Sequence, residues 1–166
     1  MEFSVTHTYP RSAAAIFAML VDFDRVREKY EALGQGDVEL ISRDEDDDGR
    51  ITLVTTRIVP LELPGFAKRV LSPRQTVTQT DTWSALDSDG VRLGTFAVVA
   101  KGTPMQVHGT MRLAPGGARR CTNATDVTVE CKMPLIGGKI ASFVAGDTRR
   151  AVDHEQTWLL DHLAAR

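Results

Sequence analysis

The sequence predicts an α+β fold in which an antiparallel sheet packs against one long C-terminal helix. Three observations predict it. Between Pro134 and Ala164, the apolar residues Ile136, Ile140, Phe143, Val144, Ala151, Val152, Trp158, Leu159 and Leu163 recur at steps of three and four, forming one stripe along a helix. From Gln35 to Met133 the pattern instead alternates with a period of two between clusters of turn residues, the mark of strands. Finally, a helix from Leu135 to Ala164 is about 45 Å long at about 1.5 Å per residue, longer than a small core is wide. Only a sheet offers so broad an apolar partner.

Each element follows in chain order. Phe3, Val5, His7 and Tyr9 alternate with Ser4, Thr6 and Thr8 in a first strand that Pro10 ends. Ser12 suits the N-cap of an alanine-rich helix from Ala13 to about Asp22, and a second helical piece, Phe23 to Leu33, carries Tyr30 and stops at Gly34. Val38 to Ser42 and Ile51 to Val59 read as strands joined by an acidic turn ending in Asp48-Gly49, a hairpin signal. Two prolines and a glycine make Pro60 to Leu71 a loop with one helical turn, unusually apolar at Leu61, Leu63, Phe66, Val70 and Leu71. Strands then run Gln75 to Leu86, Val91 to Ala100, Met105 to Leu113 and Cys121 to Met133. The order is one strand, two short helices, about six antiparallel strands and the long helix.

The bulk composition excludes several function classes. At 166 residues, with 42% hydrophobic and 25% charged side chains, the chain suits one domain spanning residues 1–166. A net charge of -2 gives no general attraction for nucleic acid, and Arg119-Arg120 and Arg149-Arg150 are only doublets. The apolar run Ala13 to Val21 is too short to span a membrane, and strand-like sequence precedes it, so the chain reads as cytoplasmic and complete. Cys121 and Cys131 fall in one strand about 33 Å apart, beyond the roughly 7 Å reach of a disulfide, and are expected to be free thiols. No spacing of cysteine and histidine resembles a zinc site. Without a secretion signal, the sequon Asn123-Ala124-Thr125 carries little meaning.

Asp81-Thr-Trp83, Gly102-Thr-Pro104, Val107-His-Gly-Thr110 and Val127-Thr-Val-Glu-Cys-Lys-Met-Pro-Leu-Ile-Gly-Gly-Lys139, in this order of elements, resemble an uncharacterised family, domain of unknown function 2505, within the START-like superfamily. The resemblance covers nearly the whole chain. It implies the helix-grip fold, a curved sheet of six to seven strands around the C-terminal helix, enclosing a cavity used elsewhere in the superfamily for lipids, sterols, quinones or polyketides. It brings no catalytic motif, so function inferred from it is inferred from fold.

Candidate chemistry is sparse. Asp147, Ala151 and Glu155 are spaced by four on the long helix, polar groups in or beside an apolar stripe, and buried carboxylates there would act as acids or ligand anchors. They lie about 12 Å apart along the axis, too far to share a proton; the ordinary alternative is solvation at the stripe's margin. His154-Glu155 copies the start of a zinc-protease helix motif, but Trp158 stands where the second histidine belongs. Asp44, Asp46, Asp48 and Gly49 copy half of a calcium loop, with Thr55 in place of the closing glutamate, and read better as a solvated hairpin. His7 is in phase with apolar neighbours, whereas His108 is out of phase with Met105, Val107 and Met111 and is expected to face outward. No triad partner for His7 is visible, and the side on which Arg57 falls stays open.

The leading expectation is a non-enzymatic carrier or sensor of a hydrophobic small molecule. Its cavity would be lined by Val107, Met111, Val129, Ile140, Phe143, Val144, Ala151 and Trp158, and Asp147 or Glu155 would give it a polar end. Tyr30 and Trp83 would close the pocket, and the loop around Phe66 would plug or gate it. No cofactor or metal is expected. The alternatives are a polyketide cyclase or dehydratase-like enzyme using Glu155, Asp147 or His7, and a partner-binding module whose cavity is filled.

Overall fold

The computed structural model describes residues 1–164. Strand β1 (Glu2–Tyr9) is followed by helices α1 (Ala13–Val21) and α2 (Phe23–Ala32). Six strands come next: β2 (Gly36–Glu45), β3 (Ile51–Pro60), β4 (Arg74–Trp83), β5 (Arg92–Ala100), β6 (Met105–Pro115) and β7 (Cys121–Cys131). Helix α3 (Gly137–Ala164) closes the described chain. All seven strands form one antiparallel sheet in the order β1-β7-β6-β5-β4-β3-β2, so β2 to β7 are a meander and β1 returns beside the last strand. This is the expected α+β helix-grip architecture.

Local chemistry explains the boundaries. The Ser12 hydroxyl accepts the Ala15 amide at 3.2 Å to start α1, and the Asp22 carboxylate accepts the Asp24 amide at 2.9 Å to start α2. In the turn between β2 and β3, Asp46 accepts the amides of Asp48 and Arg50, and Gly49 takes the positive φ of 82°. The acidic run thus spends a carboxylate on its own backbone, as a hairpin does. Between β6 and β7 the chains approach so closely that a Cβ on Gly109 would stand 1.8 Å from the Asp126 carbonyl oxygen. Only glycine permits that contact.

The long helix starts later than its apolar stripe predicts, at Gly137 rather than Leu135. Leu135 takes a φ of 70° and is fully exposed, which breaks the helical path, while Gly137 passes so near the Cys131 carbonyl that a Cβ there would lie 2.4 Å from the oxygen. The remaining 28 residues still span about 42 Å. Strand β4 ends at Trp83 and β7 at Cys131, each short of expectation, and β6 runs on to Pro115. Cys121 and Cys131 are free thiols at opposite ends of β7, and burial raises the pKa of both.

The stripe of α3 does different work along its length. Near its start, Ile140, Ala141 and Ala145 pack on Val127, Val129, Met105 and the loop residues Ala67 and Leu71. Near its end, Trp158, Leu159 and Leu163 pack on Tyr9, Ile16, Phe17, Trp83 and Leu113. Each fully buried side chain of this size contributes roughly 1.5–3 kcal/mol. A third cluster, Val26, Tyr30, Val38 and Leu53, seats α2 on the sheet. Between its two anchored ends, α3 bridges an opening.

Candidate ligand cavity

That opening is a cavity of about 240 Å³ between the inner face of the sheet and the middle of α3. Its apolar wall comes from alternate residues of three strands, Phe96 and Val98 on β5, Met105, Val107 and Met111 on β6, and Val77 on β4, with Val144, Ala151 and Val152 of α3 opposite. Leu61 and Leu71 of the loop between β3 and β4 close one end. A single turn at Gly65–Ala67 folds that loop inward, burying Ala67 and Leu71.

The other wall is polar and centred on α2. Lys29 Nζ donates to Glu155 Oε2 at 2.9 Å and sits 4.5 Å from the centre of the Tyr30 ring. The guanidinium carbon of Arg57 lies 3.9 Å from the same ring centre, and its Nε donates to Gln35 Oε1. Tyr30 donates its phenolic hydrogen to Gln79 Oε1 at 3.2 Å, and Gln79 Nε2 donates to both Asp81 oxygens at 2.9 and 3.1 Å. The sheet register makes this cluster possible. Leu53, Thr55 and Arg57 of β3 stand opposite Asp81, Gln79 and Val77 of β4, so polar side chains at alternate positions share one face.

Burial and charge perturb these groups in different directions. Burial, the largest single influence, lowers the pKa of the Lys29 ammonium, but Glu155, Tyr30 and Asp81 together outweigh it, and the net shift is upward. Burial raises Tyr30 against the opposing pull of Arg57 and Lys29. Asp81 is likewise raised by burial, against its Gln79 hydrogen bond and the two cations. Asp147 is raised by burial too, with Arg150 opposing. His7 enters the cavity from β1, its Nε2 3.2 Å from Asp153 Oδ1, but that carboxylate is on the outer side of α3 with 57% of its side chain exposed.

Of the residues the sequence predicts as lining, Tyr30, Trp83, Val107, Met111, Val144, Asp147, Ala151 and Glu155 come together around this cavity. Phe66, Val129, Ile140, Phe143 and Trp158 do not line it, and Trp158 instead belongs to the packed cluster at the end of α3. Val129 and Ile140 are wholly buried in the packed cluster at the start of α3, with Phe143 at its edge. Phe66 points outward, its ring centre 5.1 Å from the Lys139 ammonium. His108 faces away from α3 and lies 3.5 Å from Glu130, a neighbour across the strand pair. His162 stacks on Trp158 at 3.8 Å between ring centres. No group of three or more His, Cys, Asp or Glu side chains is placed to hold a metal ion among the described residues.

Sequence reasoning missed Lys29, Arg57, Gln79 and Asp81. Arg57 shares one phase of β3 with Ile51 and Leu53, but the other phase carries Val54 and Ile58, so periodicity leaves its side open. Asp81 and Gln79 did have a signal, because they share the phase of Val77 and Trp83 on β4 while the other phase, from Thr76 to Thr82, holds only threonines. Lys29 had none, since α2 reads as a charged surface helix and only its contact with Glu155, 126 residues onward, reveals its setting.

A family model described as a protein of unknown function (DUF2505) matches residues 4–163. The chain belongs to this family. Among curated relatives, uncharacterised proteins of Mycobacterium tuberculosis and Mycobacterium bovis are 28% identical over 121 residues, 70% of this chain and 67% of theirs. Solved structures share the fold at low identity. A Thermus thermophilus protein superposes with a TM-score of 0.69 at 13% identity, covering 99% of this chain and 98% of its own. An aromatase/cyclase from Streptomyces sp. R1128 gives 0.61 at 14% identity, covering 98% and 92%. A START superfamily protein from Mycobacterium smegmatis gives 0.54 at 15% identity, covering 98% of both chains. These likenesses place this DUF2505 chain in the START-like fold; the family's description assigns no ligand. No helix among the described residues is long and apolar enough to cross a membrane.

Proposed function

We propose that the protein, acting as a single START-like domain, binds an amphipathic small molecule between its sheet and α3. The observation that carries this reading is the division of α3: both ends are packed, while the middle, from Val144 to Glu155, spans a cavity with one apolar and one charged wall. Apolar burial, at about 25 cal/mol per Å², would drive binding, and the polar wall would choose the ligand. The loop carrying Leu61 and Leu71 is the natural route of entry, because it is the one wall held by a single helical turn rather than by the sheet or a long helix.

Native mass spectrometry of freshly purified protein, followed by denaturing extraction, tests this directly. A discrete adduct lost on denaturation is expected, and Ala151→Trp, which fills the space from α3, should abolish it while the variant stays folded. An adduct undiminished in that variant would place the ligand elsewhere and end the proposal. The aromatase/cyclase among the structural neighbours favours an enzymatic second reading. Against it, His7 is paired with a carboxylate on the outer side of α3, and Lys29 with Glu155 within the wall, which leaves no buried histidine and carboxylate poised as acid and base.

A further inference from the structure

Arg57 is a cavity wall residue with only 7% of its surface exposed. Its Nε is taken by Gln35, and its Nη1 is shielded from water with no acceptor among the described residues. No carboxylate among the described residues forms an ion pair with it. The two acids that share its wall are otherwise engaged. Glu155 is held by Lys29 at 2.9 Å, and Asp81 by the Gln79 amide. The wall therefore keeps a buried guanidinium nitrogen that no acceptor among the described residues answers, an arrangement that costs stability unless something else supplies one. The guanidinium stacks on Tyr30, holds Gln35 through Nε and lines the cavity, so the cavity is the space from which an acceptor can approach it.

We propose that the ligand is an amphipathic monoacid whose carboxylate pairs with the Arg57 guanidinium while its apolar body lies along Val98, Val107, Met111 and Val144. This rests on the cavity reading above and adds the chemical class. The unanswered donor belongs to a guanidinium, whose charge and planar fork match a carboxylate better than an alcohol or ketone. The hydrocarbon of the facing wall rejects a second charge.

Octanoate and octan-1-ol share a chain and differ at the head group, so titrating each into isotopically labelled protein near neutral pH, followed by NMR, separates the two parts. Octanoate should bind at least about tenfold more tightly than octan-1-ol. Arg57→Met should erase that preference, and Arg57→Lys, which keeps the charge but loses the fork, should retain part of it. Should Arg57→Met not fold, Arg57→Lys still decides, since an undiminished preference there overturns the proposal. Equal binding of acid and alcohol by the wild type also overturns it while leaving the cavity reading intact, as does a preference surviving in Arg57→Met. Failure of both probes to bind at millimolar concentration would sink the cavity reading and this inference together.

Discussion

Replacing Glu155 with Gln strips the counter-charge from Lys29 and leaves an ammonium whose side chain is only 9% exposed. Breaking a buried pair from one side costs about 3–5 kcal/mol, and because Glu155 itself is 27% exposed toward the cavity, the lower end, about 3 kcal/mol, applies. For a chain of this size, that lowers Tm by about 6–12 °C. Lys29→Met leaves the more exposed partner behind and should cost less, about 1–2 kcal/mol, while the double variant Lys29→Met/Glu155→Leu should return to within about 1 kcal/mol of wild type. The pH dependence gives an independent sign. In the wild type the folded pKa of Lys29 is raised, so its contribution is complete below about 10.4 and is lost as pH rises through the folded value. In Glu155→Gln, burial acts without its main opponent, the folded pKa falls below the unfolded one, and stability rises with pH across the window between them. Urea midpoints for the four proteins at two pH values, one neutral and one alkaline, check both claims. Additive single effects, or a Glu155→Gln deficit that fails to shrink at alkaline pH, would refute the reasoning.

Two further outcomes follow from other parts of the molecule. Gly109→Ala puts a Cβ 1.8 Å from the Asp126 carbonyl oxygen, so β6 and β7 must separate; a loss of about 3 kcal/mol is expected by urea denaturation, and a near-neutral substitution would show that the close approach is absent. Asp81 has a folded pKa above its unfolded one, so the native state holds its proton longer and stability falls as pH rises from about 3.9 through the folded value. Asp81→Asn removes that penalty and should gain stability relative to wild type as pH rises. A gain independent of pH would show that Lys29 and Arg57 already compensate the carboxylate.

The fold was legible because its signals are periodic and repeated. Seven alternating segments and a stripe that recurs from Ile140 to Leu163 leave few architectures open, and turn chemistry at Asp46 to Gly49 agrees with them. The start of α3 was misread because the stripe continues back through Ile136 while the backbone does not: a left-handed Leu135 is invisible to hydrophobic periodicity. On α3 the polar part of the site was legible because polar residues interrupt a helical stripe, as at Asp147 and Glu155, and on β6 the alternation placed Val107 and Met111 on the inner face. Periodicity separates inside from outside but cannot separate packed inside from empty inside, so Ile140 and Phe143 were expected beside Val144 in one cavity that only Val144 reaches.

The polar wall is the feature that a search for stability alone would not produce. Lys29, Arg57, Asp81 and Glu155 occupy positions whose neighbours in phase are Val26, Leu53, Val77 and Leu159, so hydrocarbon side chains at all four would complete a core that the sheet and α3 already frame. Buried ion pairs are often replaced by apolar groups at no loss of stability, and charges kept where a core would serve mark the places where local rules yield to function. The packed ends of α3 supply the rigidity that such a wall needs. Clusters around Ile140 and Trp158 hold the helix at both ends, so Glu155 meets Lys29 at a fixed distance, while Arg57 stays held between Tyr30 and Gln35 in the cavity wall.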